Sequence, residues 1–289
     1  MTTVSDGLID GSRAPGAGSE VVDLLADLHR LPAQRPALLR VVQVADSPDC
    51  SVPRLADAAA LDPAFAARLL HLANSAYYGR TRRVTAIAPA VAVLGAETLR
   101  GLAVTMALGM SGERGPLPEG FADRAATTAA GSQLVAPAAG AEPGDAFCVG
   151  LLREVGQALL YRADVRAYRD LLRTCDDASL AEAERAWCGT TNGELAAAAL
   201  GAAGLPASVC AAIAQHQRDD ELGTTPVGPL ARALRGGTVL AHAVTSGDVD
   251  EDVVEVLREL SVGLLDEQDV RALALRTAAE AAALSSAMR

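Results

Sequence analysis

The sequence contains no lysine, so all 25 of its basic residues are arginine. A P-loop needs a Lys on its phosphates, a Schiff-base enzyme needs a primary amine and a Ser-Lys hydrolase needs its base; these three mechanisms are excluded. Aromatic residues are scarce, at 3% of the chain. An interior without them has to be built from Ala, Leu and Val, which favours closely packed helices over aromatic-rich, β-branched sheets. The four histidines are His29, His71, His216 and His242, and none lies between Ser111 and Gln215. Cys50, Cys148, Cys175, Cys188 and Cys210 form no C-x-x-C pair. In a chain with no signal-like start they read as small buried hydrophobes or inert thiols of a reducing compartment. Apolar stretches such as AIAPAVAVLG are short and interrupted for a bilayer span. The expectation is a soluble protein of the cytoplasm, with no membrane association.

Half of the 289 residues are hydrophobic, enough for one large domain or two packed subdomains. A formal net charge of -11 argues against broad binding to nucleic acid or anionic membranes. The RTRR cluster, Arg80 to Arg83, is read as a solvated turn before it is read as an anion patch. No G-x-S-x-G is present and the serines sit mostly at cap-like positions, so no ordinary hydrolase triad is visible.

Residues 1–18 are rich in Gly, Ser, Thr and Asp and read as a flexible tail. Helical spacing begins with a helix capped by Ser19, and a Pro-delimited second helix carries Leu38, Val41, Val42 and Val44 on one face. Ser51 caps a third, with Leu55, Ala58 and Ala59 inward. Asp62-Pro63 opens a fourth, a carboxylate cap followed by Pro at the first helical position, with Phe65, Leu69 and Leu72 on its stripe. His71 lies off that stripe and is expected to be exposed. A short helix from Pro89 closes at Gly95, and another runs from Glu97 to Leu108. SGERGPLPEG, residues 111–120, is the clearest break. Beyond it, helical segments are expected near 121–138, 145–160, 165–175, 180–200 and 206–217, with a polar stretch near 218–227 before two or three closing helices. This pattern predicts an all-α, multi-helix bundle of two packed helical subdomains: 19–110, then a 111–120 linker, then 121–217, with closing helices over 226–289.

The order of these segments resembles the HDOD family, bacterial helical domains related to the HD and HD-GYP metal-dependent phosphohydrolases. The resemblance is carried by an early Leu31-Pro32, Asp62-Pro63, the run LLHLANSAYY, the A-x-x-x-L-G from Ala90 to Gly95, GLLREVGQALL at 150–160 and GLPASVCAAIAQHQ at 204–217; it spans about 19–285. It implies an HD-like all-α fold and a role in bacterial signal transduction or regulation.

An HD hydrolase needs several His and Asp side chains converging on one or two divalent metals. Arg153 stands where the resemblance places a ligand His, and a permanently charged guanidinium cannot coordinate metal. Glu154 replaces the Asp. Asn192 stands where a His often precedes a Glu, here Glu194, and His216 is alone where relatives show a His pair. The Arg153-Glu154 step reads as an ion pair or as two solvated side chains, and His216 as a structural histidine. Among the signature residues, Asn74 is expected to end its helix in a left-handed conformation. Ser75 is expected to bond a free carbonyl or amide, and Tyr77 and Tyr78 to plug a gap between helices.

The expectation is therefore a non-enzymatic, stand-alone regulatory module without metal or cofactor, acting through other signalling proteins. The alternatives are a ligand sensor, with Arg153 holding a phosphate or cyclic nucleotide in a degenerate HD cleft, and a residual metal-dependent phosphohydrolase.

Overall fold

Prolines set where several helices begin. Pro36, Pro53, Pro63, Pro143 and Pro229 each stand in a first turn, where the missing N–H would have no intrahelical partner and the ring already holds φ at a helical value. The computed structural model describes residues 35–78, 83–110, 115–215 and 228–288. The tail 1–18, the Ser19-capped helix, His29, Arg80, Arg82, the start of the 111–120 break, His216 and the 218–227 stretch lie outside the described residues. Among those described the fold is all-α, with no strand.

Helices α1 (Pro36–Ala45), α2 (Val52–Ala60) and α3 (Pro63–Ala73) bury the stripes that their spacing predicts: Leu38, Val41, Val42 and Val44; Leu55, Ala58 and Ala59; Phe65, Leu69 and Leu72. His71 is exposed. Asp62 caps α3, accepting a hydrogen bond from the Phe65 amide at 3.0 Å, whereas Ser51 occupies the cap of α2 without making a side-chain bond. A 3-10 turn, Ala76–Tyr78, follows α3.

The two limbs expected on either side of Gly95 form one element, α4 (Ile87–Ala107), kinked where Gly95 takes φ 80 and ψ 162. A Cβ at Gly95 would meet nothing within 4 Å, so the backbone conformation and not space calls for glycine there. At 21 residues α4 is long and apolar enough to cross a membrane, longer than the interrupted run suggests. Its apolar surface is spent inside the protein, where every residue from 98 to 107 is buried.

The second half contains α5 (Phe121–Ala139), α6 (Pro143–Leu152), α7 (Val155–Ala163), α8 (Val165–Thr174), α9 (Asp177–Cys188), α10 (Asn192–Ala202) and α11 (Ala207–Gln215). Two segments that periodicity predicts as single helices are split. The 145–160 run turns at Arg153 and Glu154, and the 180–200 run is cut at Gly189, whose left-handed φ of 83 ends α9. Three closing helices follow: α12 (Pro229–Ser246), α13 (Glu251–Leu260) and α14 (Glu267–Met288). Helix α5 is the hub, packed against α6, α12 and α14. Its contact with α6 depends on Gly150, where a Cβ would lie 2.7 Å from the Thr128 carbonyl oxygen. One apolar cluster runs from Leu38 to Leu284, and a second joins α5 to α12, α13 and α14. This packing gathers α5, α7, α8 and α12 around a single cleft.

Candidate functional site

No loop separates α6 from α7. Arg153 closes the first and Glu154 opens the second, so the chain turns a corner within GLLREVGQALL while Leu151, Leu152, Val155, Leu159 and Leu160 stay buried on either side. The corner places the Glu154 carboxylate in a cleft of about 1140 Å³.

The Glu154 side chain has no exposed surface. A carboxylate so placed stays ionised only if it is paired and hydrogen-bonded. Arg153 Nη1 donates to its Oε1, and Arg124 Nε, arriving from α5, donates to Oε2 at 3.0 Å. Arg124 is itself held through Nη1, which donates to the Glu119 carbonyl oxygen at 2.5 Å. The sequence leaves Arg153 and Glu154 as an ion pair or as two solvated side chains; the structure makes them an enclosed pair and adds a second guanidinium. Both carboxylate oxygens are thus engaged by groups with no lone pair to offer and a charge that repels cations. The residues at this box do not fit a divalent metal. Among the described residues, no three His, Cys, Asp or Glu side chains are arranged to hold one elsewhere.

Two more arginines reach the same cleft. Arg169 and Arg173 stand four residues apart on α8 and so share a face, and His242 of α12 lines the same cleft. Arg169 Nε and Nη2 both donate to the Tyr161 hydroxyl, at 3.2 and 2.8 Å, with the guanidinium 5.8 Å from that ring's centre. Arg173 is exposed and makes no ion pair or hydrogen bond among the described residues. The cleft thus sets four arginines against Glu119, Asp123 and Glu154, a cationic excess in a protein whose net charge is -11.

Asn192 does not join them. It is buried at the start of α10, its backbone amide donating to Glu184 Oε2 at 2.7 Å and its Nδ2 to both Glu184 oxygens at 2.9 and 3.0 Å. The Tyr168 hydroxyl donates to the same carboxylate, and the Tyr168 ring packs on Trp187. Burial raises the Glu184 carboxyl above its ordinary value against the pull of these donors. Asn192 and the box meet back to back: a Cβ on Gly156 would fall 1.8 Å from the Asn192 carbonyl oxygen. His216 lies outside the described residues.

The signature residues serve the frame around the 3-10 turn. Asn74 ends α3 in a right-handed conformation (φ -96, ψ 0), not the left-handed one that its residue type suggests. Its side chain is committed instead to two segments. Nδ2 donates to the carbonyl oxygens of Leu70 at 2.6 Å and Val84 at 2.8 Å, while Oδ1 accepts from the Val84 amide at 2.6 Å. Ser75 Oγ is buried and finds no hydrogen-bond partner among the described residues, contrary to its expected role. Tyr77 and Tyr78 do fill an interhelical gap: Tyr77 donates to Gln133 of α5, and its ring lies 4.7 Å from Tyr78 and 6.1 Å from Phe147. Burial pushes the Tyr78 hydroxyl up to about 12.

Residue chemistry alone passes over a second charge knot. Arg100, 4% exposed in the middle of α4, pairs with Asp46 at 2.7 Å, with Asp145 at 2.8 Å and with Glu97. Burial, aided by Asp145 and Asp46 and opposed by Arg100, pushes the Glu97 carboxyl up to about 7. This knot, Glu184 and Arg124 do not stand out in the sequence, because most of their partners lie eight or more residues away in the chain. The Arg169–Arg173 spacing is a readable cue to a basic helix face.

The family profile described as HDOD domain matches residues 31–219. No curated protein matches the chain. Among solved structures, a provisionally assigned phosphohydrolase from Shewanella amazonensis SB2B superposes with a TM-score of 0.71 at 22% identity, covering 92% of this chain and 98% of its own. A provisionally assigned signal transduction protein from Marinobacter aquaeolei VT8 gives 0.70 at 21% identity, over 94% of this chain and 65% of its own. An HDOD domain protein of unknown function from Geobacter sulfurreducens gives 0.62 at 22% identity, over 93% and 98%. At these identities the likeness establishes the fold.

Proposed function

Because the chain belongs to the HDOD domain family, we propose that it is a non-catalytic regulatory module of bacterial signal transduction, passing a signal in the cytoplasm by binding another protein. The observation that carries the reading is the enclosure of Glu154 between Arg124 and Arg153. Where an HD hydrolase needs ligands for a metal that generates hydroxide and clamps phosphate oxygens, this chain has an ion-paired carboxylate and two fixed positive charges. What survives around it is structural: the leucines on both sides of the corner, the small-residue contact of Gly150 with α5, and the Glu184–Asn192 knot behind α7.

The surface supports a partner. Val262 and Leu264, in the connection from α13 to α14, are 79% and 69% exposed, and Val262 is held at a φ of 53. A β-branched residue pays a strain cost in that region, and here it presents an apolar side chain to solvent. The acidic balance of the chain favours a protein over nucleic acid or an anionic membrane.

The test is hydrolysis of bis(p-nitrophenyl) phosphate with added manganese. The reading predicts a rate no greater than that of manganese alone. Sustained turnover that disappears in Glu154→Gln would make the protein a residual phosphohydrolase and overturn it.

A further inference from the structure

Arg169 and Arg173 are like charges one turn apart on α8, an arrangement that costs helix stability unless something lies between or over them. Arg169 is steadied by a phenol and not by a carboxylate, and Arg173 is unpaired among the described residues. They line the same cleft as Arg124 and Arg153, both of which pair with Glu154. The other two carboxylates of the cleft, Glu119 and Asp123, are exposed, where water screens them. The Arg153 side chain, 13% exposed, is sheltered and keeps more of its field. The result is a concavity that sets four guanidinium groups against three carboxylates, reached from two helices, α5 and α8, and from the corner between α6 and α7.

We propose that this cleft binds a phosphate ester of nucleotide size and holds it without cleaving it, with Arg124, Arg153 and Arg173 on the phosphate. The ligand class follows from the geometry. One guanidinium fork satisfies a lone carboxylate, whereas several forks converging from different directions suit a tetrahedral dianion with acceptor oxygens on all sides. The volume of about 1140 Å³ is far larger than an inorganic ion and lies just above the usual range of small-molecule sites, which leaves room for an ester of nucleotide size. Thr127, Gln157, Thr238 and Thr245 supply neutral hydrogen-bonding groups, and Leu117 and Leu172 an apolar wall, for the organic part of the ester. The proposal rests on the non-catalytic reading above and gives that module a ligand.

The experiment is isothermal titration of the full chain at low ionic strength with ribonucleoside 5′-monophosphates and with pyrophosphate, with acetate as the anion control. We expect saturable binding of at least one monophosphate at one site per chain, no acetate binding, and affinity weakened roughly tenfold or more in Arg173→Gln and in Arg153→Gln. Arg271→Gln, which removes an exposed arginine of α14 paired with Glu267 outside the cleft, should leave the affinity unchanged. Arg173 is exposed and unpaired, so its variant should fold even if Arg153→Gln does not. Absence of binding to every phosphate, or undiminished binding in Arg173→Gln, overturns the proposal. Release of phosphate by the same samples with manganese would instead overturn the non-catalytic reading, and with it the holding without cleavage, and leave only the binding site standing.

Discussion

Arg124 Nε lies 3.0 Å from Glu154 Oε2 across thirty residues of chain, and this contact turns an adjacent Arg-Glu dipeptide into an enclosed charge triad. Replacing Glu154 by Gln would leave two guanidiniums facing each other without their shared counter-charge. Breaking a buried pair costs about 3–5 kcal/mol, but Arg124 and Arg153 retain some water, so a loss of about 2 kcal/mol is expected in urea unfolding. The same change should strengthen pyrophosphate binding, because it removes the negative charge from the cleft. Weaker binding in a folded Glu154→Gln would contradict the assignment of the arginines as the anion's partners.

Gly156 fixes the distance between the box and Asn192. With a Cβ only 1.8 Å from the Asn192 carbonyl oxygen, Gly156→Ala forces α7 away from α10. The expected cost is about 3 kcal/mol or more, read as a shift in the denaturant midpoint. A midpoint within the error of the wild type would show that the two helices are not in this contact.

The first three helices are legible because apolar periodicity and proline caps agree there; Leu38, Val41, Leu69 and Leu72 are inward as spacing requires. The corner at Arg153 and Glu154 is not, since largely apolar sequence flanks it on both sides and neither residue of the turn is Pro or Gly. The cut before Asn192 does have a written signal, a capping box in which Thr191 Oγ1 accepts from the Glu194 amide and Glu194 reaches back to the Thr191 amide. Resemblance directs attention to Asn192 as a vacated ligand position, whereas its partner Glu184 is fixed only by the packing of α9 against α8. The positive cleft is a tertiary property: Arg124, Arg153, Arg169 and Arg173 come from separate segments, and only the last two are paired by spacing.

Glu97 makes stability depend on pH. Its carboxyl is raised from 4.5 to about 7, first by burial and then by Asp145 and Asp46, against the attraction of Arg100. The folded protein therefore binds a proton that the unfolded chain releases, so this contribution is full below about pH 4.5 and is lost as pH rises through about 7. Thermal unfolding between pH 5 and pH 8 should show a loss of stability at higher pH that is smaller in Glu97→Gln. An identical pH profile in the variant would mean that Glu97 is ionised throughout.

Asn74 ties the end of α3 to Val84 by donating to one backbone group and accepting from another. Asn74→Ala leaves the Val84 amide and carbonyl without these partners, and the expected cost is about 1–3 kcal/mol in thermal or urea unfolding. Asn74→Gly should be no better tolerated, because the observed conformation is right-handed and glycine offers it nothing. A variant in which glycine restores what alanine loses would favour the left-handed cap instead.

On the function proposed above, Arg124 and Arg153 close the HD box of this chain to metal. The most direct measurement is the divalent-metal content per chain after purification without chelator. The account predicts a stoichiometry near zero, unchanged when manganese is added and then removed by gel filtration. Manganese or iron retained at about one or two ions per chain, and lost in Glu154→Gln, would contradict it.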